Sequence, residues 1–286
     1  MKRISWMQNG ARGMMVHYLN EIADRDGTRD RDWDETVAAF DVDAFADGVQ
    51  QTGSSWLIFT IGQNAGRYLS PNPVIEKLVP GACTKRNLVR EIAEAVTSRG
   101  IRFLAYMPTE MWSAPEPLRQ AFGWMESRTD KSAFTRRWSE VVRYWAEDLG
   151  ELLSGWWFDG CYKSEEKSWM PASEQGWDNS RFGSFWFEAA RAGNPDVAIA
   201  MGTGAGSTHC VSADDEDYMA GEANGIDIAP LKSISRNLLQ PHQLTCLDCF
   251  WKYAPEEQES PAMPDPKYSI KDLRAFLAAC REYDVA

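Results

Sequence analysis

Nowhere in the 286 residues do apolar side chains run unbroken for the 18 or so positions that would suggest a membrane-spanning helix. The opening stretch, MKRISWMQNGARGMM, also lacks the uninterrupted apolar segment of a secretory leader, so a cytoplasmic chain is expected. Positive charge is short as well. Thirty Lys and Arg stand against 42 Asp and Glu, a net charge of −12, which excludes nucleic acid and membrane as partners because both demand a basic face. A neutral or cationic small molecule fits better. Six cysteines, at 83, 161, 210, 246, 249 and 280, lack the density and pairing of a disulfide framework and read as reduced, mostly buried thiols. Cys246 and Cys249 form a C-x-x-C with no second pair, so they read as core rather than a metal or redox site. Three histidines, at 17, 209 and 242, have no metal-ligand spacing, and neither a metal nor a cofactor is expected. No G-x-G-x-x-G follows the first apolar run, and no G-x-S-x-G elbow occurs. GTGAG (202–206) reads as a loop. There is no internal repeat, and the Pro- and acid-rich stretch 254–268 looks like an exposed loop rather than a boundary, so residues 1–286 form one expected domain.

What the chain does have is apolar bulk: 44% hydrophobic residues and 13 tryptophans. Indole offers a broad face and one N–H donor, a combination suited to stacking on sugar rings. Short apolar runs alternate with helical periodicity. Strands are expected at 13–17, 55–60, 101–106, 156–159, 197–201, 217–222 and 244–251. Helices are expected at 41–53 (capped by Asp41, stopped by Gly53), 87–100 (Asn87 to Gly100), 134–155, near 181–192, and 269–283. Apolar strands alternating with helices mean a parallel sheet covered by helices, either an open doubly wound sheet or a closed barrel. Length and strand count favour the α/β class in its (β/α)8 TIM-type barrel form, with the last strand incomplete because only residues 284–286 remain to begin it.

Polar or aromatic groups close most of these runs: His17, Thr60, Tyr106, Asp159, Glu222 and Trp251. In a barrel such ends converge on one mouth, where active sites are built from several strands. Two carboxylates and several aromatics there suit glycoside hydrolysis, in which one acid protonates the leaving oxygen and one carboxylate meets the oxocarbenium-like carbon. Asp214, Asp215 and Glu216 read as a solvated charge run.

The segments RGMMVHY, FDVDAFADGVQQTGSSWLIFT, KRNLVREIAEAVTSRGIRFLAYMPTEMW, GWWFDG and DEDYMAGE, spread over residues 12 to 283, resemble in order and spacing the landmarks of the family 29 α-L-fucosidase catalytic barrel. That resemblance implies a retaining exo-glycosidase acting by double displacement on a small glycoside or oligosaccharide. It makes Asp159 the nucleophile and Glu222 the acid/base, and it places His17, Tyr106 and Trp157 around the sugar. Where fucosidases carry a pair of histidines this chain has Gln63 and Asn64, which form hydrogen bonds of a different pattern. The family's arginine after the fifth strand is replaced around Met201 and Gly202. Another deoxy or neutral sugar therefore stands beside fucose as a substrate. Trp251 completes the expected sugar contacts. A carbohydrate-binding barrel without hydrolysis is the alternative, with a lyase or isomerase ranked last, and a homo-oligomer is compatible with the sequence.

Overall fold

Strands buried on both faces must be apolar almost throughout, and the central strands here are. Five of them form one parallel sheet in chain order: β1 (Gly13–Val16), β2 (Trp56–Thr60), β3 (Arg102–Pro108), β4 (Leu153–Asp159) and β5 (Ala198–Met201). All five residues of β2 are buried. The computed structural model describes residues 2–8, 11–20, 32–63, 65–162, 176, 179–205, 209–234, 239–247 and 266–286. Helices α1 (Trp33–Ala38) and α2 (Val42–Gln51) join β1 to β2, and α3 (Pro73–Leu78) and α4 (Leu88–Ser98) join β2 to β3. Then α5 (Glu116–Ala121) and α6 (Ser132–Leu149) precede β4, α7 (Ser184–Ala190) precedes β5, and α8 (Ile270–Glu282) is last.

Side-chain alternation gives the sheet two different faces. Leu57, Phe59, Phe103, Trp156, Phe158 and Ile199 share one core with helical Val49, Ile92, Val96, Trp138, Val142 and Trp186. Trp56, Ile58, Leu104, Tyr106, Trp157, Ala198 and Ala200 point the other way, into a second cluster that also takes Met7, Tyr218 and Ala220. Met7 ends a 3-10 helix (Lys2–Met7), tied down by Arg3 to the Pro195 carbonyl and to Asp217.

Helix starts follow the caps that the sequence offers. Asp41 accepts from the Ala44 N–H at 3.0 Å, Asn87 from Arg90 at 3.1 Å and Ser269 from Asp272 at 3.2 Å. The five expected helices and the first five expected strands are present, but the helix expected over 134–155 ends at Leu149, and residues 153–155 belong to β4. Helices α1, α3 and α5, six residues each, were not anticipated.

After β5 the backbone continues the parallel order. Asp217 N–H donates to the Ile199 carbonyl at 2.8 Å, and Tyr218 bridges Gln240 in parallel. Then β6 (Glu222–Ala223) pairs with β7 (Leu244–Thr245). Ala286 N–H reaches the Pro241 carbonyl at 2.9 Å while Gln243 N–H reaches the Ala286 carbonyl at 3.0 Å, the pattern of a parallel bridge. The architecture is α/β with a parallel sheet, and among the described residues no strand pairs with the outer edge of β1.

Two sequence expectations need correction. The charge run at 214–216 is not a solvated loop throughout: Glu216 is 4% exposed, because its carboxylate accepts the backbone N–H groups of Ser212 (2.5 Å) and Ala213 (2.7 Å). The C-x-x-C segment is not core as a whole, since Leu247 between the cysteines is 54% exposed, and Cys249 lies outside the described residues. Of the expected strand 244–251, residues 248–251 also lie outside them. The five described cysteines are free thiols, and Cys161 and Cys280 are buried. Among the described residues no helix is long and apolar enough to cross a membrane.

Candidate active site

Strand β4 ends in Trp156-Trp157-Phe158-Asp159, and period-two alternation sorts the four residues between the two faces. Trp156 and Phe158 stack on each other at 5.1 Å, and Trp156 Nε1 donates to the Ala190 carbonyl of α7 at 2.9 Å. Trp157 faces the inner cluster and donates to the Ala220 carbonyl at 3.0 Å. Asp159 shares that inner side. Gly160 follows at φ +83°, and a Cβ there would sit 2.2 Å from Glu110 Cγ, so both conformation and space demand glycine.

Three donors hold the Asp159 carboxylate. Tyr106 Oη donates to Oδ2 at 2.5 Å; the Gly160 N–H (2.7 Å) and Tyr162 Oη (3.1 Å) donate to Oδ1. Gln63 Nε2 in turn donates to Tyr106 Oη, which leaves the phenolic hydrogen for Asp159. Burial, reinforced by the charge of Asp159, pushes the Tyr106 phenol well above its ordinary range, so it remains a donor at any working pH. Trp157 stacks on Tyr106 at 5.5 Å and 13°, and His17 meets the same ring edge-on at 4.9 Å. His17, Gln63, Tyr106, Trp157 and Asp159 are thus brought together from four strand ends.

Tyr162 links this group to the other carboxylates. Its phenol is pushed well up by burial and then by the charges of Asp159, Glu110 and Glu222, so all three acids act on one hydroxyl. Glu222 opens β6 and is partly buried. Gly221 before it has φ +70°, and a Cβ there would lie 1.7 Å from the His242 carbonyl oxygen, an approach only glycine permits. Of the remaining expected site residues, Asn64 and Trp251 lie outside the described residues.

Two residues here were not singled out from the sequence. Glu110 is 1% exposed and accepts the Trp112 N–H at 3.0 Å. It lies two residues past β3, and an acid just beyond an apolar run was the available signal. Tyr162 stands three residues beyond Asp159, where the reading of strand ends had stopped. Nearby, Glu216 is lifted to about 7, by burial first. His242 is lowered to about 4, by burial first and then by His209, while its Nδ1 lies 2.9 Å from the Ala220 carbonyl oxygen. Among the described residues no group of three or more His, Cys, Asp or Glu could hold a metal ion.

No protein-family profile matches the chain, and no curated protein matches it in sequence. Solved structures do resemble it. The α-L-fucosidase AlfC of Lactobacillus casei, in complex with its fucose product, superposes with TM-score 0.63 at 13% identity, over 100% of this chain and 89% of that one. The α-L-fucosidase isoenzyme 1 of Paenibacillus thiaminolyticus gives 0.64 at 17%, over 97% and 67%. An endo-fucoidan hydrolase of glycoside hydrolase family 107 gives 0.56 at 18%, over 78% of this chain and 37% of that one, so the chain spans little more than a third of that enzyme. At such identities the likeness is one of fold, and it agrees with the fucosidase-like resemblance of the sequence.

Proposed function

We propose that this chain is a retaining exo-glycosidase, fucosidase-like, that removes a terminal neutral or deoxy sugar by double displacement. In this reading the sheet is a (β/α)8-type barrel forming one domain over residues 1–286. Inner side chains of β2 to β5 meet Tyr218 and Ala220 in one small cluster, which supports a sheet curled upon itself. Free thiols fit a cytoplasmic working place.

The observation that carries the reading is the setting of Asp159: a strand-end carboxylate held by two phenols and a backbone N–H beside the Trp157–Tyr106 stack. Asp159 attacks the anomeric carbon while Glu222 protonates the leaving oxygen; Glu222 then takes a proton from the water that releases the sugar. Retention requires the two carboxyl groups roughly 5–5.5 Å apart across the sugar. Tyr162, acted on by both acids, supports their lying at one mouth. Tyr106 and Tyr162 stay protonated and orient the nucleophile. Trp157, His17 and Gln63 line the sugar.

Asp159→Ala is expected to abolish turnover of an aryl glycoside such as 4-nitrophenyl α-L-fucopyranoside, with azide restoring part of it in place of the missing carboxylate. Full activity in that variant removes the assignment. A carbohydrate-binding barrel without hydrolysis is the second reading, favoured by the engagement of the Gln63 amide with Tyr106. Binding across an aryl-glycoside set without phenol release would support it.

A further inference from the structure

Arg181 ends a 3-10 helix (Asn179–Arg181) and is 4% exposed. A guanidinium keeps its charge at any working pH, so burying one requires acceptors fixed around it. Arg181 finds them on the loops that leave β3 and β4. Nη1 donates to the Thr109 carbonyl at 2.6 Å; Nη2 donates to the Gly160 carbonyl at 3.1 Å and to Thr109 Oγ1 at 3.3 Å. The ring of Phe182 backs the guanidinium at 4.3 Å.

The directions of these bonds matter. Because a guanidinium only donates, Thr109 Oγ1 accepts from it and turns its own hydrogen to the Asp159 backbone carbonyl, 2.6 Å away. Thr109 N–H reaches the same carbonyl at 2.8 Å. That carbonyl shares a peptide plane with the Gly160 N–H given to Asp159 Oδ1. One end of the plane is held by Thr109, the other meets the carboxylate, and the next carbonyl is held by Arg181.

We propose that Arg181 is a positioning residue for Asp159: through Thr109 and Gly160 it fixes the peptide plane that aims the carboxylate. The proposal rests on reading Asp159 as the nucleophile. Arg181→Ala, Arg181→Lys and Thr109→Val are assayed on the aryl glycoside beside Asp159→Ala, with circular dichroism confirming the fold. Misaiming a reacting group lowers kcat, so Arg181→Ala is expected to lose about 100-fold in kcat with KM changed by no more than about twofold. Added guanidinium and the lysine variant restore part of the rate, and Thr109→Val falls in the same direction. A folded Arg181→Ala with wild-type kcat overturns the proposal. So does a loss that guanidinium leaves untouched while Thr109→Val is fully active. If Arg181→Ala does not fold, Thr109→Val decides alone, and unchanged kcat there overturns it. Turnover surviving in Asp159→Ala overturns the functional reading and this proposal together; turnover lost there but intact in Arg181→Ala overturns only the proposal.

Discussion

Tyr106 joins the Trp157 ring to Asp159, the nucleophile of the proposed function. It receives the Gln63 amide, donates to Asp159 at 2.5 Å and stacks on Trp157. A bond to a charged acceptor contributes about 1.5–3 kcal/mol, so Tyr106→Phe should lower kcat by about 10- to 100-fold. The melting temperature should fall as well, by several degrees, because the folded state loses the same bond although the ring still stacks; steady-state kinetics beside a thermal melt check both. Glu216 and His242 make opposite statements about pH. Glu216 is lifted from 4.5 to about 7, so its share of stability is full below pH 4.5 and is lost as pH rises through 7. His242 is lowered from 6.5 to about 4, so its share is full above pH 6.5 and is lost as pH falls through 4. Between pH 4.5 and 6.5 the two slopes offset each other. Glu216→Gln keeps one oxygen for the Ser212 and Ala213 N–H groups and removes one slope. Its melting temperature should then rise steeply from pH 4.5 to 6.5, where that of the parent is nearly flat. A flat profile in the variant contradicts the assignment.

At the scale of elements, the turn after β4 decides where the chemistry points. Gly160→Ala must take an alanine to φ +83° and push Glu110 aside, a cost of about 1–3 kcal/mol in backbone strain before the clash is counted. Turnover should fall more than stability, because the displaced turn carries Asp159; kcat and the urea midpoint measured on one preparation test this. Trp156→Ala, on the opposite face of the same strand, should instead cost about 3–5 kcal/mol of stability through the cavity it leaves against α7. Much of this layout was legible in the sequence. Asp41 and Asn87 announce their helices through side-chain caps, and the apolar runs of β2 to β5 announce buried parallel strands. Helices α1, α3 and α5 were not legible because six residues complete fewer than two turns, too few to repeat an apolar stripe. Glu216 was hidden for another reason. A run of acids looks solvated until the loop supplies backbone N–H groups, and those come from residues that carry no sequence signal of it.

For the whole molecule, the proposed function depends on the five-stranded sheet and the β6–β7 pair bringing distant strand ends to a common mouth. β4 and the segment before β6 are tied by Trp157 to the Ala220 carbonyl and by Tyr218 to the Trp156 carbonyl, so Asp159 and Glu222 extend from neighbouring supports. The resemblance that suggested fucosidases was legible in GWWFDG because this turn needs its glycine and its inward acid. The partners on the Arg181 side were not, since that residue returns to Asp159 from 22 positions downstream and touches mainly backbone that any sequence would supply. With a surplus of 12 negative charges the protein should also prefer uncharged over sulfated glycosides, and a paired assay of the two, repeated at high salt, measures that preference. The most direct measurement is the mass of a peptide labelled by an activated 2-deoxy-2-fluoro glycoside, which slows the second displacement and traps the first. The account predicts one sugar mass added to the peptide that carries Asp159, and none in Asp159→Ala. A label on another residue, or turnover with no covalent adduct, would contradict it.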